Sequence, residues 1–285
     1  MGLPIAGRIA EAGYRVTAFD ASRERLAAAR RHDVATVESA NEAVAGRAVV
    51  FTSLPDDAAL RAALLGSDSL LRAMKPQSIL IETSTVSDGI STELAEATQQ
   101  HSIDYLRAPL SGNASVAHTG TLTCFVSGPK AAFEQVRPLL ATFTRAQNYL
   151  GEGEQARFAK LAVNLMIAVS AGMMGESLAL ARKGGIAWRD ILQVLDDSAV
   201  TSPMVKYKTP LLVNRNFEST FSCHQMAKDL DLILSAGHAV GVPLQLAAQV
   251  REIYASLIAQ GEGEADYIAT VRHLERMSGL DEPER

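Results

Sequence analysis

Cysteine is scarce in this sequence, and its placement excludes two common kinds of site. The chain has two cysteines, Cys124 and Cys223, which stand far apart and form no CxxC pattern. This argues against both a disulfide framework and a zinc site, and it fits a reducing, cytoplasmic location. We therefore expect both cysteines to be buried small hydrophobic residues.

An excess of basic charge and a long uninterrupted apolar run are also missing. The formal net charge is −5, and the 27 lysines and arginines are scattered along the chain. Such a chain offers no basic field for a nucleic acid backbone. No basic start leads into an apolar run, and every apolar stretch long enough for a membrane span is interrupted by glycine or charge. We expect neither nucleic acid nor membrane as a partner.

The histidines lack the spacing of a metal site. No HxH, HExxH or paired-carboxylate pattern surrounds any of them, so we expect no bound metal. A GxSxG motif is also absent, which argues against a serine hydrolase. The six histidines are His32, His101, His118, His224, His238 and His273.

The first half of the chain alternates short apolar runs with helical segments. Apolar runs followed by polar residues are typical of buried parallel strands, and strands that alternate with helices predict a doubly wound sheet. A helix is predicted over residues 130–143. The predicted strands cover residues 14–19, 47–54, 78–85, 103–110, 122–128 and 148–151.

From about residue 154 the pattern is helical throughout. Apolar spacing without proline predicts one helix over 154–183, about 45 Å long at 1.5 Å per residue. We interpret it as an interdomain helix that joins a Rossmann-type domain over 1–152 to an all-α domain over 153–285. Further helices are predicted at 188–196, 203–213, 222–240, 243–260 and 264–276, with a break at 241–243.

The opening residues read as the second half of a nucleotide-binding unit. Pro4 suits a first helical turn, Gly13 suits the left-handed residue that ends a helix, and Asp20 closes the strand that follows. In a dinucleotide-binding βαβ unit an acid at this place bonds the ribose hydroxyls. Taken alone, Asp20 has a simpler interpretation as a strand-end turn residue.

Two further places offer chemistry. Small polar residues follow the predicted strands at 53–55, 83–85 and 109–113, where ligands bind in open parallel sheets, although each group alone also suits a turn. Lys160 lies among apolar residues one turn before Asn164, and desolvation would lower its pKa toward that of a useful general base. The alternative is a helix lysine that extends to water.

Six motifs together resemble the β-hydroxyacid dehydrogenases, a family that includes 3-hydroxyisobutyrate dehydrogenases and tartronate semialdehyde reductases. The resemblance covers nearly the whole chain. Its motifs are MGLPIA from Met1, SLPDD from Ser53, ETSTV from Glu82, APLSGNASVAHTGTLT from Ala108, GEGEQARFAKLAVN from Gly151 and MAKDLDL from Met226.

The resemblance implies hydride transfer between a nicotinamide cofactor and a small β-hydroxy acid, with Lys160 as the catalytic acid and base. The implied substrate-binding residues are Ser111, Gly112, Asn113, Asn164 and Lys228. The implied cofactor-binding residues are Gly2, Leu3, Pro4, Asp20, Leu54, Pro55, Thr85, Lys228 and Asp229.

The chain departs from the family pattern at three places. Glu82 replaces the usual aspartate, and Asn113 replaces a glycine, where it must narrow the pocket or add a hydrogen bond. The fingerprint lacks its first strand and two glycines, so we expect that roughly ten residues precede Met1. Asp20 favours NAD over NADP because a carboxylate repels a 2′-phosphate. Arg23 and Arg25 follow closely, and their positive charges weaken this preference.

Two rival functions stay open on the sequence. An imine reductase that uses NADP shares the two-domain architecture, but such enzymes typically replace the catalytic lysine. A non-catalytic protein that retains the fold is the other rival, because part of the cofactor fingerprint is missing. The family resemblance also implies a homodimer or homotetramer built through the long helix and the helical domain.

Overall fold

The computed structural model describes residues 1–280 of the chain. They form two compact units, Met1–Lys160 and a second unit that starts at Leu161. The domain boundary after residue 152 stays a prediction. The last five residues of the predicted helical domain, 281–285, lie outside the described ones.

The first unit alternates helices and strands. Its strands are β1 (Thr17–Ala18), β2 (Ala35–Thr36), β3 (Val49–Thr52), β4 (Ile79–Glu82), β5 (Asp104–Arg107), β6 (Leu110–Ser111), β7 (Leu122–Val126) and β8 (Thr144–Tyr149). Its helices are α1 (Gly2–Glu11), α2 (Arg23–Arg30), α3 (Ala40–Val44), α4 (Asp57–Leu64), α5 (Asp88–Gln100), α6 (Ala114–His118) and α7 (Lys130–Leu140), with a 3₁₀ helix at Leu70–Arg72. The long helix α8 (Gln155–Lys183) begins in this unit.

The strands form three small sheets. β1 pairs with β2 in parallel, and β3, β4 and β5 pair in that order in parallel. In the third sheet β7 lies between antiparallel β6 and parallel β8. Parallel strands joined by helices are the doubly wound arrangement. The predicted fold class, an α/β sheet domain followed by helices, is confirmed.

Strand β4 is buried on both faces, as a central parallel strand requires. Ile79 and Ile81 face one apolar cluster together with Ile5 of α1. Leu80 points to the opposite cluster, where it meets Leu60 of α4. Successive side chains of a strand alternate between faces, so the unbroken apolar run of β4 fills two cores.

Three predicted strands differ from the observed ones. The strand predicted at 103–110 divides into β5, which ends at Arg107, and the two-residue β6 of another sheet. The run at 14–19 yields only the two residues of β1, and the strand predicted at 148–151 begins at Thr144. The sequence TRAQNY of β8 is largely polar and only partly buried, because β8 pairs with β7 alone. The hydrophobic pattern therefore carried no signal for its first half. Gly13 has a φ of +88°, as predicted for the end of α1.

The second unit is helical throughout its described part. After α8 it contains α9 (Trp188–Asp197), α10 (Pro203–Val213), α11 (Cys223–Ala239), α12 (Gln245–Ala259), a 3₁₀ helix at Tyr267–Ala269 and α13 (Thr270–Met277). The last predicted helix starts later than expected. Buried Asp266 accepts hydrogen bonds from Lys208 at 2.6 Å and from the backbone N–H of Ile268 at 3.1 Å, which caps the 3₁₀ turn.

Helix α8 has 29 residues and is unusually apolar. An 18-residue window has a mean hydropathy of 1.5, enough to cross a membrane by length and composition. Core helices of soluble proteins pass the same test, and 39% of this window is buried. The expectation that no membrane is involved stays a prediction.

Candidate active site

The loops that follow β3 and β4 lie side by side at the carboxyl edge of the sheet. The backbone N–H of Leu54 donates to Oγ of Ser84 at 2.7 Å, and Oγ1 of Thr83 donates to the carbonyl of Thr52 at 2.7 Å. Thr85, a predicted cofactor-binding residue, directly follows Ser84 and is partly buried. The structure thus brings two of the predicted cofactor segments together, at the edge where open parallel sheets bind ligands.

The start of α1 reaches the same edge. A Cβ atom at Gly2 would lie 3.6 Å from the Cβ of Ser53, so the backbone of the first helical turn is beside the loop after β3. The first N–H groups of a helix suit a phosphate. Gly2 and Leu3 supply the backbone N–H donors at this start, because Pro4 has no N–H to donate.

Asp20, beyond β1, makes the turn interaction considered for it and lies near a cation. Its Oδ1 accepts the backbone N–H of Ser22 at 2.8 Å, which is the turn interaction. Its Oδ2 lies 3.7 Å from the Arg25 guanidinium, and its side chain stays partly exposed. The carboxylate is therefore accessible to a ribose, with a cation close by.

The predicted substrate loop has a fixed backbone. Ser111 ends β6 opposite Thr123, and Gly112 has a φ of +127° with Leu122 and Val116 packed where a side chain would begin. Asn113 caps α6, because its Oδ1 accepts the backbone N–H of Val116 at 3.1 Å. Of the two effects expected of Asn113, the structure thus shows a hydrogen bond, and it is made to the chain itself.

Helix α8 carries Lys160 and Asn164 one turn apart. Lys160 is partly buried. Nδ2 of buried Asn164 donates to Oδ2 of Asp229 at 2.5 Å. Oδ1 of Asp229 pairs with Nζ of Lys228 at 2.9 Å, and the Asp229 side chain is only 1% exposed. Asp229 therefore holds two predicted site residues in place.

One network of buried charges beside the strand ends was not predicted from the sequence, where Glu82 stood out only as a departure from the family pattern. Glu82, Arg107 and Arg157 are buried and charged, and Arg157 binds Glu82 directly. The available signals were an acid that ends an apolar strand and an arginine within the apolar start of α8. Neither signal identifies a partner, because the two residues are 75 positions apart.

Both cysteines are buried, as predicted. Burial raises the pKa of the Cys124 thiol and raises that of Cys223 to about 12, so both stay protonated near neutral pH. In the described residues, no group of three or more histidines, cysteines or acids could hold a metal ion.

Comparison with known families accounts for both parts of the chain. Residues 1–151 match the family model described as the NAD binding domain of 6-phosphogluconate dehydrogenase. Residues 154–274 match the model described as NAD-binding of NADP-dependent 3-hydroxyisobutyrate dehydrogenase.

Individual relatives are similar over almost their whole length. The 2-(hydroxymethyl)glutarate dehydrogenase of Eubacterium barkeri is 28% identical over 281 residues, which cover 98% of this chain and 93% of the relative. A probable 3-hydroxyisobutyrate dehydrogenase of Mycobacterium tuberculosis is also 28% identical, with 96% of this chain and 94% of the relative covered.

Solved structures agree with these relatives. The 3-hydroxyisobutyrate dehydrogenase of Mycobacterium tuberculosis, solved with L-serine, has a TM-score of 0.86 at 29% identity and covers 96% of this chain and 95% of its own. An imine reductase from Pseudomonas sp. has a TM-score of 0.58 at 18% identity, a likeness of fold alone. The chain belongs to the β-hydroxyacid dehydrogenase family, which consists of NAD(P)-dependent oxidoreductases.

Proposed function

We propose that the protein oxidises the hydroxymethyl carbon of a small carboxylic acid to an aldehyde, or catalyses the reverse reduction. A bound nicotinamide cofactor supplies the hydride acceptor at its C4 position. During oxidation the hydroxyl proton passes to the amine of Lys160, and during reduction Lys160 returns it. The observation that carries this proposal is Lys160 on α8, one turn before an Asn164 whose amide is fixed by buried Asp229.

The substrate carboxylate is assigned to Ser111 and to the backbone N–H of Gly112. The fixed backbone at Gly112 supports this, since a side chain there would collide with Leu122 at 2.6 Å. Asn113 commits its carbonyl oxygen to the cap of α6. Its amide nitrogen is the group with which it would face a substrate, and an N–H donor suits a carboxylate or hydroxyl oxygen.

The proposed substrate class follows from what the relatives act on or bind. 3-Hydroxyisobutyrate, 2-(hydroxymethyl)glutarate and L-serine all carry a hydroxymethyl group on the carbon that bears a carboxylate. They differ in the third substituent on that carbon. We assign this shared unit to the site of the present chain, with Asn113 beside the carboxylate.

NAD is the proposed cofactor in preference to NADP. The carboxylate of Asp20 can accept hydrogen bonds from both ribose hydroxyls and repels a 2′-phosphate. The Arg25 guanidinium lies 3.7 Å from that carboxylate. Its positive charge offsets part of the repulsion of a 2′-phosphate and makes the preference for NAD over NADP smaller. Leu54, Pro55 and Thr85 would line the nicotinamide half of the cofactor.

A panel assay tests the reaction and the cofactor together. The three hydroxy acids above are each offered with NAD and with NADP while absorbance at the reduced-cofactor band is followed. We expect turnover of at least one of them, with a higher kcat/KM for NAD. A cyclic imine is offered separately with each reduced cofactor, and its reduction without turnover of any hydroxy acid would support the imine reductase instead. No cofactor binding by titration would support a non-catalytic protein.

A homodimer or homotetramer in the cytoplasm is also proposed, with part of α8 as the contact. Met166, Met173 and Leu180 recur every seven residues and are 72%, 55% and 76% exposed. They form one stripe, and beside it a groove of about 580 Å³ runs along the start of α12, which includes 61% exposed Leu246. A heptad-spaced apolar stripe suits a second copy of the same helix.

Charge placed on the stripe is expected to separate the subunits. The double variant Met166→Glu/Leu180→Glu should elute as a monomer in size-exclusion chromatography with light scattering, while the wild type is an oligomer. The control is Val194→Glu, which alters a 56% exposed apolar residue on α9. A monomeric wild type, or a double variant that stays oligomeric, would contradict this interface.

A further inference from the structure

Glu82 and Arg157 form a completely buried ion pair at the end of β4. Their side chains are 0% and 1% exposed, and the two groups are in direct contact. Burial opposes the charge of Arg157, but Tyr105 and Glu82 beside it hold its pKa above the usual value. Buried ion pairs often add little stability compared with apolar residues of the same size, so stability alone does not account for this pair.

Arg157 contacts a loop, a helix and a strand through its three guanidinium nitrogens. Nη1 donates to the carbonyl of Ser84 at 2.7 Å, Nε donates to Oγ of Ser91 on α5 at 3.3 Å, and Nη2 donates to the hydroxyl of Tyr105 on β5 at 2.9 Å. Nη2 also reaches Glu82. A planar fork with several fixed donors can hold a helix start in one orientation, which a lysine cannot do.

Glu82 extends this connection to the two loops at the sheet edge. Its Oε1 accepts the backbone N–H of Ser84 at 2.7 Å, and Oγ of Ser84 accepts the backbone N–H of Leu54 at 2.7 Å. A continuous chain of hydrogen bonds therefore runs from the first turn of α8 to the loops after β4 and β3. Lys160 lies three residues after Arg157, on the same side of the helix.

A second buried contact fixes the residue just before α8. Nε of Arg107 donates to Oε1 of Glu154 at 2.6 Å, and the Arg107 guanidinium stacks 4.6 Å above the Tyr105 ring. The Glu154 contact joins the residue before α8 to β5, whereas the Tyr105 contact lies within β5 and orients the Arg107 side chain. The helix start is thus held at two points to the strands whose ends form the candidate site.

We propose that the Glu82–Arg157 pair is a positioning device, which fixes the helix turn that carries Lys160 against the loops after β3 and β4. This inference rests on the proposed function, in which Lys160 exchanges the proton and those loops line the cofactor. The glutamate that replaces the usual aspartate reaches the guanidinium and the N–H of Ser84 together. Neither residue touches the reacting atoms, and their effect acts through the alignment of Lys160.

The test compares Arg157→Lys with a matched substitution at an exposed pair. Arg157→Lys keeps the positive charge but loses the planar guanidinium and its fixed N–H donors. Arg61→Lys makes the same change at an exposed ion pair. There Nη1 and Nη2 of Arg61 each donate to one carboxylate oxygen of Glu93 at 2.6 Å. The substrate is the hydroxy acid with the highest kcat/KM in the panel, in its ordinary form and dideuterated at the hydroxymethyl carbon.

We expect Arg157→Lys to lower kcat by about 10- to 100-fold, because a misplacement of about 1 Å can cost that much rate. The cofactor Kd should stay within about threefold, and the deuterium isotope effect on kcat should rise as hydride transfer becomes slower. Arg61→Lys should match the wild type in all three quantities. A role in folding alone would lower the melting temperature and leave the isotope effect unchanged.

A folded Arg157→Lys enzyme with wild-type kcat and isotope effect would overturn the proposal. If that variant does not fold, Tyr105→Phe decides, since it removes only the hydroxyl that binds Arg157. It should lower kcat severalfold and raise the isotope effect, and an unchanged isotope effect would overturn the proposal. Failure of the proposed function is distinguishable, because the wild type would then turn over no hydroxy acid in the panel.

Discussion

Replacement of Lys160 by alanine is expected to lower kcat by about 10²- to 10⁴-fold, the range that a positioned proton-transfer group contributes. Oxidation of an alcohol requires removal of the hydroxyl proton as the hydride leaves, and alanine offers no group to accept it. The Kd for the cofactor should change little, because Lys160 is assigned to the substrate proton and not to the nucleotide. The substitution should therefore lower kcat strongly and leave the cofactor Kd nearly unchanged.

Steady-state kinetics and a fluorescence titration with the cofactor measure the two quantities separately. Lys183→Ala is the matched control, since Lys183 is an exposed lysine in the last turn of the same helix. It should leave both kcat and Kd at the wild-type values. Near-normal turnover by Lys160→Ala would remove this residue from the mechanism.

Most of the fold could be predicted because its elements are long or strongly patterned. Helix α8 was predicted within a residue of its start, and the apolar runs of β3, β4 and β5 were all recognised. The errors lie where the pattern is weak. β1, β2 and β6 have two residues each, and β8 is polar because β7 is its one neighbouring strand in the third sheet.

The sequence motifs predicted the residues of the candidate site. They did not predict the buried hydrogen bonds that hold those residues in place. The resemblance identified Lys160, Asn164 and Asp229 as separate residues, but the bond from Asn164 to Asp229 joins positions 65 apart. The Arg157 network likewise depends on which strands become neighbours. A sequence pattern shows which side chains are present, whereas a buried hydrogen bond depends on the packing that brings distant segments together.

Asp229→Ala is expected to impair both the stability and the activity of the protein. The change leaves the buried amide of Asn164 without its acceptor, which costs about 1–3 kcal/mol of unfolding free energy. It also removes the carboxylate that pairs with Lys228 at 2.9 Å. With Asn164 free to rotate away from the substrate, kcat should fall by about 10- to 100-fold.

One further variant identifies which contact of Asp229 matters. Asp229→Asn keeps the shape and an acceptor for Asn164, but it loses the negative charge beside Lys228. If the hydrogen bond to Asn164 is the main contribution of Asp229 to kcat, Asp229→Asn should retain more activity than Asp229→Ala. Asp231→Ala is the control, because Asp231 lies on the same helix α11, is exposed and pairs with Arg251 at 2.7 Å.

The readouts are urea unfolding for stability and kcat with KM for the hydroxy acid. Exposed ion pairs contribute little, so Asp231→Ala should shift the unfolding free energy by less than about 1 kcal/mol and leave kcat unchanged. A folded Asp229→Ala enzyme with wild-type kcat would show that Asn164 needs no buried acceptor to act. A loss of kcat in Asp229→Ala at temperatures far below its melting point cannot come from unfolding, because the folded fraction is then complete. If Asp229→Asn retains more of that kcat, the loss assigns Asp229 to the alignment of Asn164.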